Sequence, residues 1–271
     1  MRIALALEYR LAQQGGTEVL VRELLRGLQP HFELVLVSAE PDRAALPAPF
    51  AELVCSHLHW DPAAASPESA RALAAALRRE QVQLAHFHFG GTFEWQSHRF
   101  RQCPVYYLGR SGVPCLSTNH LALGWKSLGL GRPAWQRPLV RAFAALSRTL
   151  VYRQLQFEVC VSRQDRARVA GMFPWMGHKI IQRYHSLLPA DAPPPELERR
   201  SPLILCVGTI GGRKAQPNLV EAFAAIAARH PAWRLELVGR VGEPEDAARI
   251  EAAVARHQLG ARVQVLGRLS D

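Results

Sequence analysis

The segment Leu203–Lys214, LILCVGTIGGRK, constrains the fold of this chain most, because an apolar strand runs straight into a glycine-rich turn that ends in two cations. A helix is predicted directly after the turn, since a proline typical of a first helical turn precedes apolar residues at helical spacing. Glycines such as Gly208 let backbone N–H groups approach a ligand, and a helix N-terminus favours anions. The pattern predicts a phosphate-binding corner with Arg213 and Lys214 as its cations. The alternative is an ordinary surface loop with two solvated basic residues.

Composition and charge narrow the class of protein. The 271 residues are 48% hydrophobic and 21% charged, which is ordinary for a globular protein and long enough for two domains. The formal net charge of +10 favours anionic partners such as nucleotides, phosphorylated sugars or an acidic membrane surface. The arginines are scattered along the chain without a basic tail, so nucleic acid is not an expected partner.

The cysteines and the apolar stretches predict the compartment. The five cysteines form neither a C-x-x-C pair nor a zinc-binding spacing. The apolar run at the N-terminus is interrupted by Glu8 and is too short for a signal peptide. No stretch reaches the roughly 20 apolar residues that a membrane span needs. These features predict a cytoplasmic protein.

Strand and helix patterns alternate along the first two thirds of the chain. Helices are predicted between the strands, one of them opened by Ser66 and Pro67 and another by Ser162. This alternation predicts a parallel sheet with right-handed crossovers, and hence one Rossmann-like domain over residues 1–188. The predicted strands are Arg2–Leu7, Glu33–Ser38, Ala51–Ser56, Gln83–Phe89, Pro114–Thr118 and Phe157–Ser162.

A proline-rich linker is predicted over residues 189–202, and a second strand and helix series over residues 203–271. This series has three strands, which make half of a doubly wound sheet and leave the strand before the glycine turn as an edge. The predicted fold class is therefore α/β with two Rossmann-like domains, the second one incomplete.

Three segments together resemble one known family. They are Gly15–Leu28 (GGTEVLVRELLRGL), Val113–His120 (VPCLSTNH) and Leu203–Gly239, which begins with the glycine turn and ends in RLELVG. Their order and spacing resemble the retaining glycosyltransferases of family four, which have the GT-B architecture of two Rossmann-like domains facing each other across a cleft. Neither glycine loop spells G-x-G-x-x-G or a Walker A motif, which disfavours a dinucleotide oxidoreductase and a P-loop ATPase.

The resemblance implies roles for particular residues. Arg213 and Lys214 match the cations that neutralise the diphosphate of a nucleoside-diphosphate sugar without a metal, and Gly16 matches a loop that closes over the donor phosphates or the acceptor. His120 matches the histidine that contacts the transferred sugar and is the candidate catalytic residue. Supporting loop positions are Gly15, Gly208, Thr209 and Gly239. The implied acceptor is a glycan or a lipid-linked hydroxyl, as in polysaccharide biosynthesis.

Some of these residues have a plainer structural interpretation. Gly15 and Gly16 also fit a tight turn between a strand and a helix. His120 follows the carboxyl end of a predicted strand, where ligands bind in open α/β sheets, but a histidine there is often an ordinary rim residue. His86 and His88 face the same side of a strand, yet the sequence places no third ligand, so cleft lining or packing is preferred over a metal site.

The segment Arg132–Gln156 predicts a basic amphipathic helix. It carries Arg137, Arg141, Arg148 and Arg153 among apolar residues, which is typical of a helix that lies on an anionic membrane. A surface helix packed on the sheet is the more ordinary interpretation. Peripheral contact with the inner face of the membrane is therefore a secondary hypothesis.

The chain also departs from the family pattern. Ala215 stands where the family often has glycine, and His185 begins the segment that replaces the usual Asn-Gly hinge turn. The family's paired glutamates fall beyond Asp271, so the chain alone is expected to be inactive. The prediction is a glycosyltransferase acting with retention. The alternatives are a non-catalytic or fragmentary GT-B protein that binds a phosphorylated ligand or a partner, and a GT-B sugar-nucleotide epimerase or phosphorylase.

Overall fold

The structure, a computed structural model, describes residues 1–11, 15–128, 133–185, 201–212 and 214–269. The chain divides into two compact units, Met1–Pro189 and Ala190–Asp271. Most of the predicted linker over residues 189–202 lies outside the described residues. The predicted boundaries of the linker therefore stay a prediction.

The described residues of the first unit form a seven-stranded parallel sheet in the order β3-β2-β1-β4-β5-β6-β7. The strands are β1 Arg2–Leu7, β2 Glu33–Ser38, β3 Ser56–His59, β4 Leu84–Phe89, β5 Cys115–Asn119, β6 Leu155–Cys160 and β7 Ile180–Gln182. The strand order reverses between β1 and β4, which is the point where ligands bind in open α/β sheets. The predicted parallel Rossmann-like sheet is confirmed.

Helices connect these strands. They are α1 Gly16–Leu28, α2 Ala48–Ala51, α3 Pro67–Arg79, α4 Pro104–Arg110, α5 Arg137–Tyr152 and α6 Arg163–Met172. Ser66 and Ser162 cap α3 and α6 by accepting hydrogen bonds from backbone N–H groups, as the sequence predicts. The predicted strand Ala51–Ser56 is wrong, because α2 ends at Ala51 and β3 begins only at Ser56. The apolar residues before β3 are not on a strand but on α2 and the turn after it, where Phe50 and Val54 are buried in one core cluster and Leu53 packs against it.

The sheet buries both faces because its strands are apolar on both sides. In β1, Ile3, Leu5 and Leu7 face one core cluster together with Val21 and Leu25 of α1. The alanines between them face a second cluster that includes residues of α3. Period-two side-chain alternation thus divides one strand between two helix layers.

The second unit contains a smaller parallel sheet in the order β10-β9-β8 within its described residues. Its elements are β8 Leu203–Val207, α7 Gln216–Ala227, β9 Arg234–Val238, α8 Pro244–Arg256 and β10 Val263–Gly267. β8 is an edge of this sheet, as predicted, and its Leu205 and Val207 side chains are 55% and 65% exposed.

Helix α5 lies within the predicted basic amphipathic helix and buries one of its arginines. Arg148 is fully buried and forms an ion pair with the buried carboxylate of Glu158 on β6. Leu139, Phe143 and Leu146 are instead 67%, 54% and 59% exposed. The helix therefore turns an apolar stripe outward and one charge inward.

Several groups satisfy the Glu158 carboxylate. Tyr152 Oη and Asn119 Nδ2 donate to its Oε1 over 2.8 and 3.3 Å, and Ser117 Oγ donates to Oε2 over 3.1 Å. The Arg148 guanidinium also lies 4.5 Å from the ring centre of Tyr152. The network joins α5, β5 and β6.

Breaking this ion pair should strongly destabilise the folded state. Arg148→Met leaves an uncompensated buried carboxylate and should lower the free energy of unfolding by about 3–5 kcal/mol. Glu158→Gln should lower the free energy of unfolding by a similar amount. The loss in the double variant should be at least about 1 kcal/mol smaller than the sum of the losses in the two single variants. Urea unfolding of all four proteins measures this coupling, and strictly additive losses would contradict it.

Candidate functional site

The first glycine loop ends at the start of α1. Gly15 is the N-cap residue, and its N–H donates to Oε2 of Glu18 over 2.9 Å. A Cβ added to Gly16 would meet no atom within 4 Å, so the space next to this residue is open. Both glycines lie at the N-terminus of a thirteen-residue helix, which has the polarity that suits an anion.

The second glycine loop, after β8, packs so closely against the loop after β9 that Gly239 leaves no room for a side chain. Gly208 and Gly239 have φ angles of +151° and +149°, a region that favours glycine. A Cβ added to Gly239 would lie 2.1 Å from the carbonyl oxygen of Gly208. Because the loops after β8 and β9 approach this closely, Gly239 supports the loop that contains Gly208 and Thr209.

Gln216, a residue that the sequence analysis did not select, ties this loop to α7. Its side chain is 1% exposed, and its Nε2 donates to the carbonyl oxygens of Gly208 and Thr209 over 3.3 and 3.0 Å. Its Oε1 accepts from the N–H of Gly211 over 3.3 Å. A buried glutamine at a first helical position has no sequence signal that distinguishes it from a solvated one.

Lys214 is one of the two cations that the sequence analysis selected as candidates for binding a phosphate. It is exposed and precedes α7 by two residues, and its Cε is 3.3 Å from a Cβ added to Gly208. The side chain thus lies over the glycine loop. Its predicted partner Arg213 lies outside the described residues.

A carboxylate already occupies part of the loop. The N–H of Gly212 donates to Oε2 of Glu243 over 3.1 Å, and a Cβ on Gly211 would lie 3.0 Å from Oε1 of the same residue. Glu243 is the N-cap residue of α8. The N–H of Gly212 is therefore already paired with a side-chain carboxylate.

Four histidines lie close together, two on β4, one directly after β5 and one after β7. The rings of His86 and His88 on β4 are 4.3 Å apart, which confirms that they face the same side. His88 Nδ1 lies 3.1 Å from Nε2 of His120, which follows β5 directly. His120 Nδ1 lies 3.2 Å from Nε2 of His185, which follows β7. His185 was noted from the sequence only as a departure at the hinge.

Burial keeps this cluster neutral. It lowers the pKa of His86 to about 4. Burial, with the neighbouring His185 and His86, lowers the pKa of His120 to about 3. Across the part of the chain that the structure describes, no group of three or more His, Cys, Asp or Glu side chains is arranged to hold a metal ion. The cluster is suited to hydrogen bonding at neutral pH.

Comparison with known families identifies the class. The model described as Glycosyltransferase Family 4 matches residues 14–185, which is more than half of the chain, and the model described as Glycosyl transferases group 1 matches residues 190–271. The chain therefore belongs to the glycosyltransferase family that the first model describes. A comparison with curated proteins finds no significant match.

Solved structures share the fold at low sequence identity. A glycosyltransferase from Rickettsia africae ESF-5 has a TM-score of 0.66 at 16% identity, with 100% of this chain and 69% of that chain covered. WaaG, a glycosyltransferase involved in lipopolysaccharide biosynthesis, has a TM-score of 0.65 at 12% identity, covering 99% and 70%. Anabaena HepE in complex with UDP and glucose has a TM-score of 0.62 at 12% identity, covering 100% and 70%. The α/β fold of the chain is thus that of GT-B glycosyltransferases.

Ala215, at the start of α7, offers a test of the loop's backbone. Its φ of 53° and ψ of 32° are left-handed, a conformation that costs a non-glycine residue about 1–2 kcal/mol. Ala215→Gly should therefore raise the free energy of unfolding by about 0.5–1 kcal/mol after the greater chain entropy of glycine is subtracted. Thermal or urea unfolding measures the change.

The matched control is Ala222→Gly, at an exposed position inside the same helix. There, glycine should lower the free energy of unfolding by about 0.5–1 kcal/mol. Equal losses from the two substitutions would contradict the left-handed backbone at residue 215.

Proposed function

We propose that the protein transfers a sugar from a nucleoside-diphosphate sugar to a hydroxyl group of a glycan or lipid-linked acceptor, with retention at the anomeric carbon. The observation that carries the proposal is the corner after β8. A glycine loop, the N-terminus of α7 and the side chain of Lys214 meet there over Gly208. The family resemblance supports retention and the kind of acceptor.

The donor diphosphate is proposed to bind at this corner. Lys214 and Arg213 would neutralise the charge that develops on the diphosphate as the glycosidic bond breaks, and the N-terminus of α7 would add its partial positive charge. Glu243 would exchange its hydrogen bond from Gly212 for one from a competing solvent or side-chain donor, leaving the amide to a phosphate oxygen. Since the charge is balanced by side chains, the reaction would need no metal.

His120 is proposed to contact the transferred sugar, and Gly15 and Gly16 to let backbone amides approach a phosphate or the acceptor. Neutral His120 suits a hydrogen bond to a hydroxyl group at pH 7. A sugar-nucleotide epimerase would share the fold, but both family models that match the chain describe glycosyltransferases. A binding protein without catalytic activity would keep the same nucleotide corner.

Replacing Lys214 tests the corner through donor binding. Loss of a charged hydrogen bond is worth about 1.5–3 kcal/mol, so Lys214→Ala should weaken the affinity for UDP-glucose about tenfold to a hundredfold. Isothermal titration calorimetry with and without EDTA measures this, and the chelator should leave the affinity unchanged. Arg229→Ala, which removes one exposed cation beyond the other end of α7, is the control. Equal affinities for the two variants would contradict the proposed clamp.

The first unit, which is proposed to bind the acceptor, is proposed to lie against an anionic membrane surface through α5. Trp135, Leu139, Phe143 and Leu146 form an apolar stripe at i, i+4, i+8 and i+11, and each is more than half exposed. Helix α5 carries no acidic residue, and Arg137 at its start and Arg153 after its end are exposed. Apolar side chains flanked by cations are the arrangement of an interfacial helix. No helix in the described ranges is long and apolar enough to cross a membrane.

Removing the stripe should release the protein from vesicles. Each large apolar side chain contributes about 1.5–3 kcal/mol on burial, so the double substitution Leu139→Ser and Phe143→Ser should weaken binding to vesicles containing phosphatidylglycerol by at least about tenfold. Sedimentation with these vesicles, and with phosphatidylcholine alone, measures binding. Val265→Ser, at an exposed apolar position of the second unit, is the control. Unchanged sedimentation of the double variant would contradict the proposal.

A further inference from the structure

Three imidazoles form a hydrogen-bonded chain that leads from the core to the surface. His88 is fully buried, His120 is partly buried and His185 is exposed. The two links use opposite nitrogens of His120, with 3.1 Å from its Nε2 to His88 and 3.2 Å from its Nδ1 to His185. Adjacent rings are close to parallel, with interplanar angles of 18° and 29°.

The buried end of the hydrogen-bonded series of imidazoles determines which nitrogen donates in each link. His88 Nε2 is buried and has no hydrogen-bond partner in the described part of the molecule. A buried N–H group without an acceptor is rarer in proteins than an unsatisfied acceptor, so the proton of His88 belongs on Nδ1. His88 then donates to Nε2 of His120, and a neutral His120 carries its own proton on Nδ1.

We propose that His88 is a positioning residue that holds His120 as its Nδ1–H tautomer, and that His185 occupies the hydrogen-bond position which a ligand oxygen takes on binding. With this tautomer, His120 Nδ1–H donates to His185 Nε2, which lies 3.2 Å away. An acceptor oxygen of a sugar hydroxyl or a phosphate has the same hydrogen-bonding character. His185 is therefore an internal stand-in for the ligand.

The placement of His185 explains how it can leave. It follows β7 by three residues and is exposed, whereas His88 lies within β4 and its carbonyl oxygen accepts from Trp95 Nε1 over 3.1 Å. One partner of His120 is thus fixed in the core and the other is at the surface. The identity of the ligand rests on the proposed function, but the direction of the hydrogen-bond chain does not.

The tautomer can be measured without any ligand. Two-bond 1H–15N correlation spectra of the full chain labelled with 15N-histidine distinguish protonated from unprotonated ring nitrogens, and His120→Gln assigns the signals. We expect His120 to be protonated at Nδ1 in the wild type. The same tautomer is expected in His88→Gln, because the glutamine amide can still donate to Nε2 of His120. In His88→Phe, which has no donor at this position, the Nδ1–H tautomer of His120 should no longer predominate. Protonation of Nε2 in the wild type would overturn the proposal, even if His88→Phe does not fold.

Ligand exchange is tested by calorimetry with UDP-glucose and with UDP. Because the ligand no longer displaces one hydrogen bond, His185→Ala should bind UDP-glucose about twofold to tenfold tighter than the wild type. If only the affinity for UDP-glucose rises, the ligand oxygen that replaces His185 belongs to a sugar hydroxyl. If the affinity for UDP rises equally, that oxygen belongs to a phosphate. Tyr184→Ala, which truncates the adjacent exposed side chain, should change neither affinity.

Equal or weaker affinity of His185→Ala would overturn the role of His185. If the wild type binds neither UDP-glucose nor UDP, the proposed function fails instead, and the tautomer of His120 still decides whether His88 positions it.

Discussion

The Glu158 carboxylate is the group on which the architecture of the first unit depends. It lies fully buried on β6 and accepts hydrogen bonds from β5 through Ser117 and Asn119 and from α5 through Arg148 and Tyr152. A buried charge has to be compensated locally, so the helix and both strands hold one relative position. His120 follows Asn119 directly, and the candidate sugar contact therefore inherits its position from this network.

The same ion pair explains why α5 could not be oriented from the sequence. Apolar residues at helical spacing predict a buried face, and arginines between them predict a solvated one. Arg148 reverses this assignment because Glu158, ten positions along the chain, compensates it in the core. Once that side of the helix packs inward, Leu139, Phe143 and Leu146 are left on the opposite side. No local pattern contains this information, since it depends on a pair formed between two elements.

The sheet was more predictable than the site. The apolar runs of β1 and β2 and the caps at Ser66 and Ser162 are local signals, and the structure places these elements where the sequence predicted them. Strand β7 has three residues and α4 has seven, so neither offers a long periodic pattern. Within the site, the glycine turns were visible from their composition. Gln216, Glu243 and His185 were not, because their importance comes from neighbours that are distant in sequence or from burial that a polar residue does not reveal.

From the sequence alone, Gly16 and Gly239 are both simply glycines next to a strand or a helix. The two positions differ in whether they tolerate a side chain. A Cβ at Gly16 meets open space, whereas a Cβ at Gly239 would overlap the carbonyl oxygen of Gly208. Alanine at the first position adds one methyl group to a surface. At the second position it forces apart the loops that follow β8 and β9. The loop after β8 can thus vary in charge at Lys214 and its neighbours, whereas a side chain at position 239 does not fit.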